Sequence, residues 1–132
     1  LAKYAHLSPA DAFIWTRFML LNPLQFTAVA YDVRVGNGSL ANPDFSDPFQ
    51  KGFVDLTQKR IDAVGFTAKT TYVIEVKPRA SVTALGQAII YRDMYVRTYN
   101  PTKQIIAAIV TDNPDPDIFA LAKDWDVQIL TA

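Results

Sequence analysis

The chain has a single glutamate, Glu75, set in Glu75-Val76-Lys77 at the end of an extended segment. Asp62 lies thirteen residues upstream in Arg60-Ile61-Asp62-Ala63-Val64, and Thr67-Ala68-Lys69-Thr70 between them reads as a hairpin turn. If Phe66 pairs with Thr71, the antiparallel register sets Asp62 opposite Glu75 and Arg60 opposite Lys77. Side chains so opposed have Cβ atoms about 4.5–5.5 Å apart, where like charges destabilise a sheet. Two facing carboxylates therefore suggest a shared divalent cation, because hard cations are held by converging oxygens. Lys77 points to the same face as Glu75. The alternative is a crosswise surface ion network of Asp62 and Glu75 with Lys77 and Arg60, worth about 0–1 kcal/mol per pair.

The elements that must position these residues can be read from the pattern. Ser8 caps a helix over residues 9–21, with Pro9 and Asp11 in its first turn and Ile14, Phe18 and Leu21 as its apolar stripe. Asp11 is expected to serve the helix N-terminus. Phe26–Val35 reads as a strand. A loop or flap follows at about 36–51, and Phe45, Phe49 and Phe53 are expected to form a pad on the core or a neighbouring subunit, with base stacking as the alternative. Arg60–Phe66 and Thr71–Lys77 form the hairpin. Ser81 caps a helix to Tyr99, with Val82, Leu85, Ile89 and Val96 at helical spacing. The apolar run Gln104–Thr111 suits a strand covered on both faces. Asp115 and Asp117 start a short helix to Lys123, and Val127–Leu130 is a last strand. The order α-β-β-β-α-β-α-β predicts an α/β fold, a mixed central sheet flanked by helices, in a single domain spanning 1–132.

Gln87 and Tyr91, four apart, share one face of the second long helix, and Gly86 and Ala88 beside them are small enough for close approach to the sheet. Together, Asp62, the Glu-x-Lys at a strand end and this Gln-x-x-x-Tyr resemble the PD-(D/E)XK nuclease superfamily, most closely its RecB-type and CRISPR-associated exonuclease branch. The likeness covers most of residues 9–111 and implies a restriction-endonuclease-like core. It implies that Asp62, Glu75 and the Val76 carbonyl hold Mg²⁺ or Mn²⁺, which would activate water and offset phosphate charge. Lys77 would position the water or offset developing charge, and Gln87 and Tyr91 would orient the site or the strand. Arg60, Arg79 and Tyr91 would contact DNA. Many members supply another acid from the first helix, which here offers only Asp11.

Composition narrows the rest. The chain of 132 residues is half hydrophobic and has no cysteine, which excludes disulfides, thiolate zinc sites and a cysteine nucleophile. Net charge is zero, but residues 51–103 carry nine Lys/Arg against four acids and residues 104–132 one against five. The basic stretch contains the candidate site, which gives either the local positive field a polyanionic substrate needs or an ordinary clustering of charge on a mixed surface. No run reaches the roughly 18 apolar residues of a membrane span. The single histidine, His6, is expected at a terminal surface, and Trp15 and Trp125 in the core. The function expected is a metal-dependent deoxyribonuclease, endo- or exonucleolytic, in repair or recombination or from phage. The alternative is a non-catalytic nuclease-fold subunit of a DNA-processing or viral assembly. A cytoplasmic setting, or a viral particle, and a homo-oligomer are expected with either.

Overall fold

The computed structural model describes residues 4, 6–38 and 58–132. The flap at 36–51, apart from residues 36–38, and Phe45, Phe49 and Phe53 lie outside the described residues. The elements are α1 (Pro9–Leu21), β1 (Ala28–Val35), β2 (Lys59–Phe66), β3 (Thr70–Val76), α2 (Val82–Tyr99), β4 (Gln104–Thr111), α3 (Pro116–Asp124) and β5 (Val127–Thr131). The five strands form one sheet in sequence order. β1, β2 and β3 pair antiparallel, and β3, β4 and β5 pair parallel through the α2 and α3 crossovers. The expected α/β class is the one observed.

The local chemistry of each helix end is simple. Ser8 Oγ accepts from the Asp11 N–H at 3.1 Å, Ser81 Oγ from Ala84 at 3.2 Å, and Asp115 Oδ1 from Asp117 at 3.0 Å. Each side chain satisfies an N–H that the helix cannot. Asn100 ends α2 in the left-handed region at φ 46°. The β2–β3 turn is tied by Thr67, whose N–H reaches the Thr70 carbonyl at 2.9 Å while its Oγ accepts from the Thr70 N–H at 3.0 Å.

Helices cover both faces of the sheet. On one face Ile14, Trp15 and Phe18 of α1, with Phe26, pack against Ala63, Ile74, Val76, Ala108 and Val110. On the other, Ala84, Leu85 and Ala88 of α2 and Ile118 and Ala122 of α3 pack on Ala107, Ile109 and Val127. Tyr95 joins Val35, Ile61, Val64 and Val73 there. β4 is therefore buried on both sides, as its apolar run predicts.

Several packing expectations are corrected. Leu21, Val82 and Val96 are exposed, and the contact surface of α2 is made by Ala84, Leu85, Ala88 and Tyr95. Small residues set the close approach, but Gly86 is not one of them, since it faces open space. Trp125 is 57% exposed, because it ends α3 as its C-cap residue rather than facing the sheet. Among the described residues no helix is long and apolar enough to cross a membrane.

Candidate active site

Phe66 pairs with Thr71, and the β2–β3 ladder runs from there to Ala63–Ile74 and stops. The next position would set Asp62 against Glu75. In place of a backbone pair, the Val76 N–H donates to Asp62 Oδ2 at 2.9 Å. The strands part where the two carboxylates meet, and Arg60 does not pair with Lys77 as expected. Arg60 instead lies opposite Arg34 of β1, and its guanidinium bonds Asp32 Oδ2 at 3.1 Å.

The β1–β2 ladder is irregular at the same level. It runs from Ala28–Phe66 to Tyr31–Ala63, skips Asp32 and Asp62, and resumes at Val33–Ile61. Asp32 sits in the left-handed region at φ 53°, a conformation aspartate tolerates better than most residues. Residues two apart on a strand normally share a face. Here Ala63 packs with Trp15 and Ile74, while Ile61 packs with Val64 and Tyr95. Tyr31 likewise meets Trp15, and Val33 joins Ile61. Both strands change faces across the Asp32–Asp62 level.

Glu75 is only 2% exposed. Burial pushes its carboxyl up to about 9, the neighbouring Asp62 carboxyl adds to the rise, and Lys77 opposes it. Burial also raises Asp62, opposed by the Val76 N–H, Glu75, Lys77 and His6. The Tyr91 phenol is raised by burial first, then by Glu75 and Asp62. These couplings bring Asp62, Glu75, Lys77 and Tyr91 into one cluster, with Val76 attached by its N–H. Gln87 is one helical turn before Tyr91 on the same face. Glu75 Oε1 and Gln87 Oε1 are buried without a hydrogen-bond partner among protein groups. Such orphaned oxygens cost about 1–3 kcal/mol each unless something satisfies them.

The donor set suits a hard divalent cation in kind: two carboxylates, one with a free buried oxygen, and the backbone at Val76. Among the described residues no group of three histidine, aspartate or glutamate side chains gathers at one point. Asp11 stays in the first turn of α1. Arg79 pairs with Asp115 at 3.6 Å and is largely exposed.

His6 was not foreseen here. Its Nε2 lies 2.7 Å from the Asp62 carbonyl oxygen, so the expected terminal surface histidine reaches the site. A lone histidine 56 residues from its partner carries no periodicity or spacing that could announce the contact.

Neither the family models nor the curated proteins give a match. Solved structures do. A repair endonuclease from Pyrococcus abyssi superposes with a TM-score of 0.58 at 14% identity, over 99% of this chain and 49% of that one. EndoMS in its dsDNA2 complex gives 0.56 at 12% identity, over 100% of this chain and 48% of that one. A protein of unknown function gives 0.54 at 12% identity, over 92% and 58%. This chain therefore spans about half the length of the structures it matches. At these identities the likeness establishes the fold: a mixed five-stranded α/β sheet with helices on both faces, shared with a repair endonuclease and with EndoMS.

Proposed function

We propose that this chain is a metal-dependent DNA nuclease domain that hydrolyses phosphodiester bonds at Asp62, Glu75 and Lys77. The observation that carries the reading is the buried pair Asp62–Glu75, set where β2 and β3 part, with Glu75 Oε1 unpartnered and Lys77 beside it. One structural neighbour is a repair endonuclease and another, EndoMS, was solved with double-stranded DNA, which supports the reading at the level of fold and favours an endonuclease.

Asp62, Glu75 and the Val76 carbonyl would hold Mg²⁺ or Mn²⁺. When bound, the ion would supply charge for the scissile phosphate and lower the pKa of water. Asp62 keeps its geometry through the Val76 N–H. Lys77 offsets negative charge that develops on the phosphate. Tyr91, its phenol held protonated by burial and by the Glu75 and Asp62 carboxyls, would serve as a hydrogen-bond donor to substrate rather than as a base. Gln87 orients the substrate strand or the carboxylates. Arg60 and Arg79 would add phosphate contacts at the cost of exchanging their present aspartate partners.

The test is cleavage of labelled single-stranded, double-stranded and branched DNA with Mg²⁺, Mn²⁺ or EDTA, alongside Glu75→Ala and Lys77→Ala. Metal-dependent cutting lost in both variants is expected, and unchanged cutting in both would sink the reading. One observation favours a second reading, a non-catalytic DNA-binding subunit: among the described residues no three histidine, aspartate or glutamate side chains form a group that could hold a metal ion. That reading expects no thermal stabilisation by millimolar Mn²⁺.

A further inference from the structure

We propose that His6 is a positioning residue that clamps the Asp62 peptide and thereby fixes the carboxylate facing Val76 and Glu75. The inference rests on the reading of Asp62 as a nuclease site residue.

The geometry defines the direction of the bond. A carbonyl oxygen only accepts, so Nε2 of His6 carries the hydrogen in the 2.7 Å contact. In this arrangement Nε2 has no lone pair to offer a cation. The contact falls at the margin of the regular ladders: both registers include Ala63, and neither includes a partner for Asp62. The ladders hold the Ala63 side of that peptide and the His6 contact holds its carbonyl side, so losing the contact would let the carboxylate drift from the Val76 N–H.

The clamp is itself anchored. The His6 ring lies 6.3 Å, centroid to centroid, from Tyr31, whose hydroxyl accepts from Trp15 Nε1 at 3.1 Å. Trp15 is fully buried. A path of packed rings thus links the core face of α1 to the peptide of Asp62, and Asp62 Oδ2 continues it to Val76. Groups that orient ligating side chains affect metal affinity by about 10–100-fold without touching the ion.

The experiment measures amide hydrogen exchange by NMR in the metal-free protein, with His6→Ala and His6→Gln. Exchange at Val76 is expected to quicken about tenfold in His6→Ala while Ile109 in β4 is unchanged, the mark of local rather than global opening. Glutamine carries an N–H able to reach the same carbonyl, so His6→Gln should restore protection. Mn²⁺ affinity by calorimetry should fall about tenfold in His6→Ala and recover in His6→Gln. Unchanged Val76 exchange in His6→Ala overturns the proposal, and so does equal acceleration at Ile109. Mn²⁺ affinity as weak in His6→Gln as in His6→Ala overturns it in favour of direct ligation. A wild type that neither cuts DNA nor binds Mn²⁺, with the Val76 response intact, removes the nuclease reading and supports the clamp.

Discussion

The Val76 N–H donates to a carboxylate oxygen of Asp62 at 2.9 Å, in the position after the last backbone pair of β2 and β3. One side chain thus extends the ladder and forms half of the candidate site. Asp62→Ala is expected to abolish cleavage and also to destabilise the fold by about 1–3 kcal/mol, because it orphans a buried N–H. Asp62→Asn, whose amide oxygen can still accept, should abolish cleavage with a smaller loss of stability. Urea unfolding of both variants beside a cleavage assay separates the two effects.

Glu75 makes the metal-free protein sensitive to alkali. Its carboxyl is pushed up to about 9 from an ordinary 4.5, mainly by burial. Between those values the folded state holds a proton that the unfolded chain has released. Its contribution to stability is therefore full below about pH 4.5 and is lost as pH rises through about 9. The raised Asp62 carboxyl acts in the same direction. In EDTA, Tm should fall across this range, and Glu75→Gln should flatten the profile and melt on the order of 5 °C higher at about pH 8. Added Mn²⁺ should reverse the trend in the wild type, since ligation requires deprotonated carboxylates. Thermal melts from acid to alkaline buffers, with and without metal, check all three.

Lys77 and Tyr91 should separate activity from stability. Lys77 is half-buried at the strand end, so Lys77→Met should leave the unfolding midpoint within about 0.5 kcal/mol of wild type. Cleavage should fall by about 10²-fold or more, the usual effect of losing a group that stabilises developing charge. Tyr91→Phe removes only the hydroxyl and should lower cleavage about tenfold or less, since it loses one donor and keeps the packing. Single-turnover rates at saturating metal provide the comparison.

The two tryptophans should behave in opposite ways. Trp15 is fully buried among Phe18, Phe26 and Tyr31, so Trp15→Ala should cost about 3–5 kcal/mol. Trp125→Ala should change stability by about 0.5 kcal/mol or less, because the ring is mostly in solvent. Chemical unfolding measures both changes, and acrylamide should quench Trp125 fluorescence well before that of Trp15.

What could be read from the sequence followed the range of the interactions. The β2–β3 register was legible because Thr67-Ala68-Lys69-Thr70 fixes it locally, and every pair up to Ala63–Ile74 follows from that turn. The helix starts at Ser8, Ser81 and Asp115 were legible for the same reason: a cap acts within three residues. Which apolar residues face inward was less so. The periodicity of α2 admits more than one stripe, and the sheet selects Ala84 and Ala88 for their size, which hydrophobicity alone underrates. The Arg60–Asp32 pair and the His6–Asp62 contact come from segments brought together by the whole fold. The left-handed turn at Asp32, which moves its neighbours to opposite faces, has no glycine to announce it.

The hairpin also has a consequence for the order of folding. Asp62 and Glu75 are only thirteen positions apart, so closing the β2–β3 turn brings two carboxylates together through a short loop, before any long-range contact is required. His6, by contrast, reaches its partner across 56 positions and belongs to the late, non-local stage. The repulsion between the acids is thus met early, while the restraint on Asp62 arrives last. A nascent chain at neutral pH is therefore expected to meet electrostatic opposition between Asp62 and Glu75 as the β2–β3 turn closes. A proton or a divalent cation taken up at that moment would ease closure of the hairpin before it could act in any other chemistry.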